Sequence, residues 1–501
     1  MRVLFVTSEA QPLAKSGGLA DVSRALPIAL RQRGVDVRIL LPGYPGAIAQ
    51  LENPRIEVHL EPLLGVENAS LVSGRLPGTN VPVWLIHAPS LFSRPGGLYQ
   101  DALGDDWADN ALRFAFLARV GAQIATGHLV GWQPDIVHAN DWHTGLLPLL
   151  LSMERGAKPA TIFTIHNLAF QGNFPRDILQ TIDIAEQFFT TEGVEFYGQL
   201  SYLKAAIRYS DKITTVSPTY AEEVLSPKLG CGLDGALRAR GRDFSGILNG
   251  IDNELWDPAT DIHLPDRFSA RDISGKRLCK AEFQQAFGLE VSPGIPLIGF
   301  VSRLAHQKMA DVILDIVPAI MAAGAQLALV GEGEPALEAA FKVLERQYPR
   351  QIAVHIGYEE ALAHRLQAGS DVLLAPARFE PCGLTQLYAL RYGTIPIVRH
   401  TGGLADTITN ALPASMSDRT ATGFVFQDAS SAALMSAVDR ALALYKEPLI
   451  WRRLQLQAMA RDFSWDTSAA KYMALYYEAS GIPSWAPPLL QIEEPAIQIA
   501  S

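Results

Sequence analysis

Short β-branched runs alternate with helix-like segments along this chain, and they do so in two separate series. The first comprises RVLFVTS (2–8), VDVRILLP (35–42), VPVWLIH (81–87), DIVHAN (135–140), ATIFTIHN (160–167) and KITTVS (212–217). The second follows residue 290: PLIGFVSR (296–303), AQLALVGEG (325–333), IAVHIGY (352–358), DVLLAPAR (371–378), GTIPIVR (393–399) and TGFVFQD (422–428). Between them lie amphipathic stretches such as ADVSRALPIALRQRG, closed by Gly34 as a C-cap, and DNALRFAFLARVGAQIATG. Strands alternating with helices form parallel sheets covered on both faces. Two series in 501 residues, too many for one core, predict an α/β chain with two Rossmann-like, doubly wound domains.

The expected organisation is an N-terminal domain over 1–248 and a C-terminal domain over 249–465. A helix over 466–480 is expected to pack back towards the N-terminal domain, and a Pro-rich tail over 481–501 to be poorly ordered. The join lies near SGILNGIDNELWDPATD (245–261).

A net charge of −10 argues against a broad nucleic-acid or membrane footprint. Cys231, Cys279 and Cys382 are odd in number and lack CxxC spacing, which argues against a disulfide framework and a zinc site. MRVLFVTSEA lacks the long apolar stretch of a signal peptide, and no apolar run reaches the length of a membrane span. A cytoplasmic protein is expected.

In open α/β sheets, ligands bind beyond the carboxyl ends of the strands. The polar residues at those ends are Lys15, Asp141, His166, Asn167, Asn249, Arg303, Lys308, Tyr358, Glu380 and Thr385. They come from both halves, so a cleft between two domains is the expected site. In KSGGLADV, Gly17 and Gly18 permit close backbone approach and unusual dihedrals, and Lys15 adds charge beside a helix start. The bland alternative is a Gly-Gly turn with a solvated lysine. Arg303 and Lys308 in SRLAHQK suit a diphosphate, or are two surface cations. In FEPCGLTQLYAL, Glu380 precedes Cys382, Gly383, Leu384 and Thr385 at a helix start, placed for a sugar hydroxyl or a developing charge; the alternative is a carboxylate answering a helix dipole. HANDWHTGLLP and TIHNLAFQG bring Asp141, Trp142, His143, His166 and Asn167, a combination suited to carbohydrate; packed histidines are the alternative, and a metal role is a minority reading. GGLAD recurs at 402–406, following a strand again but without a preceding lysine.

Taken in order, KSGGLADV, HANDWHTGLLP, TIHNLAFQG, SPTYAEEV, ILNGID, SRLAHQK, FEPCGLTQLYAL and TGGLADT resemble the bacterial glycogen synthase and plant starch synthase family, from residue 1 to about 478. The resemblance implies the GT-B fold, two Rossmann-like domains facing a deep cleft. It implies transfer of glucose from ADP-glucose to the non-reducing end of an α-1,4-glucan with retention of configuration, without cofactor or metal. Carried onto this chain, catalytic roles fall to Glu380, His166, Lys15, Arg303 and Lys308. Donor contacts fall to Lys15, Gly17, Gly18, Asn249, Arg303, Lys308, Tyr358 (against adenine), Glu380, Cys382, Gly383, Leu384 and Thr385. Asp141, Trp142, His166 and Asn167 face glucose and acceptor. A GT-B enzyme with another sugar nucleotide and a weakly active glucan-binding paralogue are the alternatives.

Three departures from the family pattern bear on this. Ser16 stands where threonine is usual. Met309 follows Lys308 where glycine is usual, so a left-handed conformation there would be strained. Many related retaining transferases carry a second glutamate eight positions after the first; here that position is Tyr388, a difference the synthase family shares.

Overall fold

A computed structural model describes residues 1–483. The chain forms two compact units: Met1–Thr214 with Gly235–Phe244 and the helical segment from Ser468, and Thr215–Asp234 with Ser245–Thr467. Residues 215–234, expected within the N-terminal domain, group with the second unit. Most of the tail expected to be poorly ordered, from residue 484 on, lies outside the described residues.

The first unit opens with β1 (Arg2–Val6), β2 (Asp36–Pro42), β3 (Glu52–His59), β4 (Ser70–Arg75), β5 (Pro82–His87), β6 (Ile136–Asn140) and β7 (Ala160–Ile165). A small sheet of β8 (Asn173–Pro175), β9 (Glu195–Phe196) and β10 (Gln199–Ser201) follows, then β11 (Lys212–Thr215) and, at the boundary of the unit, β12 (Phe244–Gly246). The main sheet runs β12-β11-β7-β6-β1-β2-β5-β4-β3. β1 pairs in parallel with β2 and β6, and Val3 to Val6 are wholly buried, as expected of a strand covered on both faces. The antiparallel hairpin of β3 and β4 was not anticipated; β3 is exposed along nearly all its length and offers no apolar run to read. The helix Gly18–Gln32 ends where Gly34, at φ 84°, turns the chain into β2. The helix Trp465–Ser480 contributes Tyr476, whose hydroxyl lies 2.7 Å from the Nδ1 of buried His138.

The second unit holds β13 (Leu297–Val301), β14 (Gln326–Gly331), β15 (Ile352–Ile356), β16 (Val372–Ala375), β17 (Ile395–Arg399) and β18 (Phe424–Phe426). They are parallel throughout, in the order β15-β14-β13-β16-β17-β18. All six correspond to runs read from the sequence, each shortened by two to four residues in all. The crossover direction reverses between β13 and β16, and in the first unit between β1 and β6. Loops leaving the carboxyl ends of strands at such a reversal are where ligands bind in this architecture. Sheet order therefore selects the loops after β1, β6, β13 and β16.

Candidate active site

The loop after β1 is organised by a residue absent from the sequence reading. Glu9 is buried, and its Oε2 accepts the backbone N–H of Ser16 at 2.7 Å and of Gly17 at 3.0 Å. Its Oε1 accepts the Tyr99 hydroxyl at 2.5 Å. A carboxylate buried with this many donors keeps its charge satisfied and fixes the turn. Lys15 leaves that turn and pairs with Asp21, the aspartate of GGLAD, at 2.8 Å. Gly17 is extended, at φ −153° and ψ −164°, and a Cβ there would meet nothing within 4 Å. The expectation that this glycine supplies unusual dihedrals is therefore corrected: neither backbone geometry nor protein packing demands glycine at 17.

Beyond β6, Asp141 sits at φ 55° and accepts the backbone N–H of His166 at 2.7 Å, with a further hydrogen bond from the Asn167 backbone. Burial raises its pKa to about 7, against those two bonds, which lower it. The Asn140 amide nitrogen donates to the carbonyls of Val6 and His138, so its Oδ1 is the atom 3.0 Å from His166 Nε2. Burial pushes the His166 pKa down to about 3. The neutral ring thus carries its proton on Nε2 and keeps a lone pair on Nδ1. Asn167 Oδ1 accepts from Ala169 N at 3.0 Å, closing the turn after β7. Trp142 is half-buried, with ring centroids 4.1 Å from His143 and 5.0 Å from Phe114. His143 is packed, stacking at 4.3 Å on Tyr99 and driven well below its usual pKa by burial, but both of its ring nitrogens are buried without a hydrogen-bond partner among the described residues.

In the second unit, the loop after β13 carries Arg303 on its surface, with its guanidinium 3.3 Å from Gln307 Oε1. Lys308 forms an ion pair with Glu380, which is itself buried after β16. The two loops are laced together further: Gln307 Nε2 donates to the Phe379 carbonyl at 3.1 Å, Arg378 N to the Gln307 carbonyl at 2.8 Å, and the Arg378 guanidinium spans both oxygens of Asp311 at 2.8 Å. Met309 stands in the left-handed region, at φ 54° and ψ 31°, the conformation that would be strained there, and its side chain is fully buried in the core. Burial of the thioether offsets the strain of that backbone.

Cys382 is buried, its thiol pushed up to about 12 by burial against a hydrogen bond from the Asn249 backbone. The Asn249 Oδ1 is buried and has no hydrogen-bond partner. Gly383, at φ 72°, leads through Leu384 into the helix Thr385–Arg391. Tyr388 in that helix stacks at 3.7 Å on Trp256, whose ring also lies 3.7 Å from His364. Tyr358 follows β15 and is 55% exposed. Arg303, Lys308, Asn249, Glu380, Cys382 and Thr385 are thus all in the second unit, whereas Lys15, Asp141, Trp142, His166 and Asn167 are in the first.

The second GGLAD has the opposite character from the first. A Cβ on Gly402, already at φ 43°, would fall 1.9 Å from the Glu380 carbonyl oxygen, and one on Gly403 would fall 2.1 Å from that of Cys382. Both glycines are dictated by close backbone packing. The two loops share a device: as Glu9 grips Ser16 and Gly17, the Glu223 Oε1 accepts the Thr401 hydroxyl at 2.9 Å and Gly402 N at 3.1 Å. Glu9 could have been found as the first carboxylate after β1; Glu223, far from Thr401 in sequence, carried no local signal.

Among the described residues no group of three or more His, Cys, Asp or Glu is arranged to hold a metal ion. No helix among them is long and apolar enough to cross a membrane.

Comparison with known proteins accords with this architecture. The structure superposes on the catalytic domain of Starch Synthase IV from Arabidopsis thaliana bound to ADP and acarbose, with a TM-score of 0.88 and 32% identity over 96% of this chain and 99% of that one. The sucrose-phosphate synthase of Thermosynechococcus elongatus, 17% identical over 95% of this chain and 98% of that one, shares the fold at a TM-score of 0.58. The two α/β units with their parallel sheets are those of a GT-B glycosyltransferase. The model of the starch synthase catalytic domain matches residues 2–239, and that of glycosyl transferases group 1 matches 284–453. Over 480 residues the chain is 49% identical to a glycogen synthase of Thioalkalivibrio sulfidiphilus, covering 95% of this chain and 99% of the relative. A glycogen synthase of Burkholderia thailandensis is 50% identical over 477 residues, 94% of this chain and 90% of the relative. The chain belongs to the family of bacterial glycogen synthases and plant starch synthases.

Proposed function

We propose that the protein is a glycogen synthase that transfers glucose from ADP-glucose to the non-reducing end of an α-1,4-glucan, with retention of configuration. The observation that carries this reading is near-50% identity to glycogen synthases across both units. The ADP bound to the related starch synthase supports the adenine nucleotide as donor carrier.

The proposed chemistry follows from charge. ADP leaves as a diphosphate on which negative charge grows. Arg303 supplies a planar fork and Lys308 a mobile ammonium to meet it, and Lys15 is assigned a further positive charge for the same leaving group. Lys308 already pairs with Glu380, so an arriving diphosphate would compete with that carboxylate and free it for a glucose hydroxyl. Tyr358 is assigned to the adenine; Asn249, Gly383, Leu384, Thr385 and the Cys382 backbone to glucose and the distal phosphate. The anomeric carbon becomes oxocarbenium-like, and the His166 carbonyl is assigned to its stabilisation, with Asp141, Trp142 and Asn167 on the acceptor side. Retaining glycosidases use a carboxylate nucleophile; the scheme here assigns no such nucleophile and takes same-face transfer, with the leaving phosphate assisting the acceptor hydroxyl. No metal takes part in this scheme.

The test is glucan extension with ADP-glucose and UDP-glucose in parallel. Extension with release of ADP, and at least tenfold slower turnover of UDP-glucose, is expected. Preference for UDP-glucose would replace the donor assignment, and glucan binding without transfer at saturating ADP-glucose would overturn the reading.

A further inference from the structure

The segment SPTYAEEV has no role in the scheme above, yet its helix, Pro218–Glu223, is tied to the second GGLAD helix, Gly402–Thr407, at both ends. At one end the Thr219 N–H and hydroxyl donate to the two oxygens of Asp406 at 3.0 and 2.6 Å. At the other, Glu223 Oε1 accepts from the Thr401 hydroxyl and Gly402 N, while Oε2 is buried without a hydrogen-bond partner. A helix of six residues is not stable in isolation; its place is set by such ties.

That place matters because of what the helix presses on. Gly403 N donates to the Glu380 carbonyl at 3.1 Å, and Gly402 and Gly403 leave no room for a Cβ against the backbone of Glu380 and Cys382. A shift of a few tenths of an ångström in the helix must be passed to that loop, since close-packed backbone cannot absorb it. We propose that Glu223 is a positioning residue for Glu380: through Thr401 and Gly402 it sets the loop 380–382, and with it the Glu380 carboxylate that faces Lys308. The segment holding Glu223 precedes residues 235–244 of the first unit in sequence but belongs to the second unit, and this tie gives a physical reason for its assignment there.

The inference deepens the donor-side reading given above and rests on it for its kinetic form. Glu223→Ala is expected to lower kcat at least tenfold and raise KM for ADP-glucose at least fivefold, with KM for glucan within twofold of wild type. Glu223→Gln, which keeps an acceptor oxygen, is expected to stay within about threefold of wild type in both. Loss of kcat at unchanged KM for ADP-glucose marks a loss of folded enzyme only and overturns the proposal, as does a glutamine variant as damaged as the alanine one. If Glu223→Ala fails to fold, Thr401→Val decides: a rise of at least threefold in KM for ADP-glucose supports the role, and no change overturns it. Hydrogen exchange of the segment 379–387, which needs no substrate, separates this inference from the functional one. Exchange accelerated at least tenfold in Glu223→Ala, or in Thr401→Val if the former does not fold, is expected even if wild type proves to use another donor; unaltered exchange overturns the positioning role whatever the donor.

Discussion

Glu9 accepts the backbone N–H of Ser16 at 2.7 Å, so that a buried carboxylate, rather than the glycines that follow, holds the turn bearing Lys15. Lys15 itself pairs with Asp21 at 2.8 Å, both side chains being partly exposed. The two residues are therefore expected to fail differently. Lys15→Ala should cost at most about 1 kcal/mol of stability while lowering turnover by about tenfold or more, as expected for a lost charge of about 1.4 kcal/mol or greater at the transition state. Glu9→Ala should lower both, because two backbone N–H groups and the Tyr99 hydroxyl each lose a hydrogen bond to a charged acceptor, at about 1–3 kcal/mol for each bond lost. Urea unfolding beside steady-state kinetics separates the two patterns.

The two GGLAD loops give a paired test. Gly17→Ala should change stability by less than about 1 kcal/mol, since its backbone is extended and a methyl meets nothing. Gly402→Ala should cost about 3 kcal/mol or more, for its Cβ would overlap the Glu380 carbonyl in a close-packed interior at a left-handed φ. Thermal and urea midpoints of the two variants are the measurement; equal losses would contradict the contrast.

Met309→Gly exchanges strain for a cavity. Relief of the left-handed backbone returns about 1–2 kcal/mol, whereas loss of a fully buried methionine costs about 2–5 kcal/mol. A net loss of up to about 4 kcal/mol in urea unfolding is expected, so methionine at this site stabilises the chain despite its backbone.

The pH dependence of stability follows from four groups of the first unit, His138, Asp141, His143 and His166. His138 and His166 are lowered from 6.5 to about 3 by burial, so the unfolded chain binds protons that the folded one refuses. Their contribution is present above pH 6.5 and is lost as pH falls towards 3. Asp141 has the opposite sign: raised from 3.8 to about 7, it contributes stability present below 3.8 and lost as pH rises through 7. With His143, which burial also drives well below its usual value, the histidines outweigh the one aspartate, so the urea midpoint should fall between about pH 6.5 and 4.5. In Asp141→Asn, which removes the opposing group, that fall should be steeper.

The two series of apolar runs specified two parallel α/β units, because a strand buried on both faces must be apolar at successive positions whatever lies beside it. The same logic missed β3, which is exposed and carries no such signature. Lys15, Arg303, Lys308 and Glu380 were legible as polar residues where apolar runs end, and the order of eight motifs was legible as a family resemblance. Strand order, which selects the loops after β1, β6, β13 and β16, arises only when the sheets assemble. So do the anchoring carboxylates. Glu9 and Glu223 each reach a Gly-Gly turn, one over a span of eight residues and the other over 179. A hydrogen bond between distant residues leaves no period or spacing in a chain, and GGLAD reads identically at both places. The chain alone supplied the repeat and its one lysine. Tertiary packing made the first copy a turn with open space at Gly17 and the second a support pressed against Glu380, since whether a glycine is required depends on what lies within a Cβ's reach.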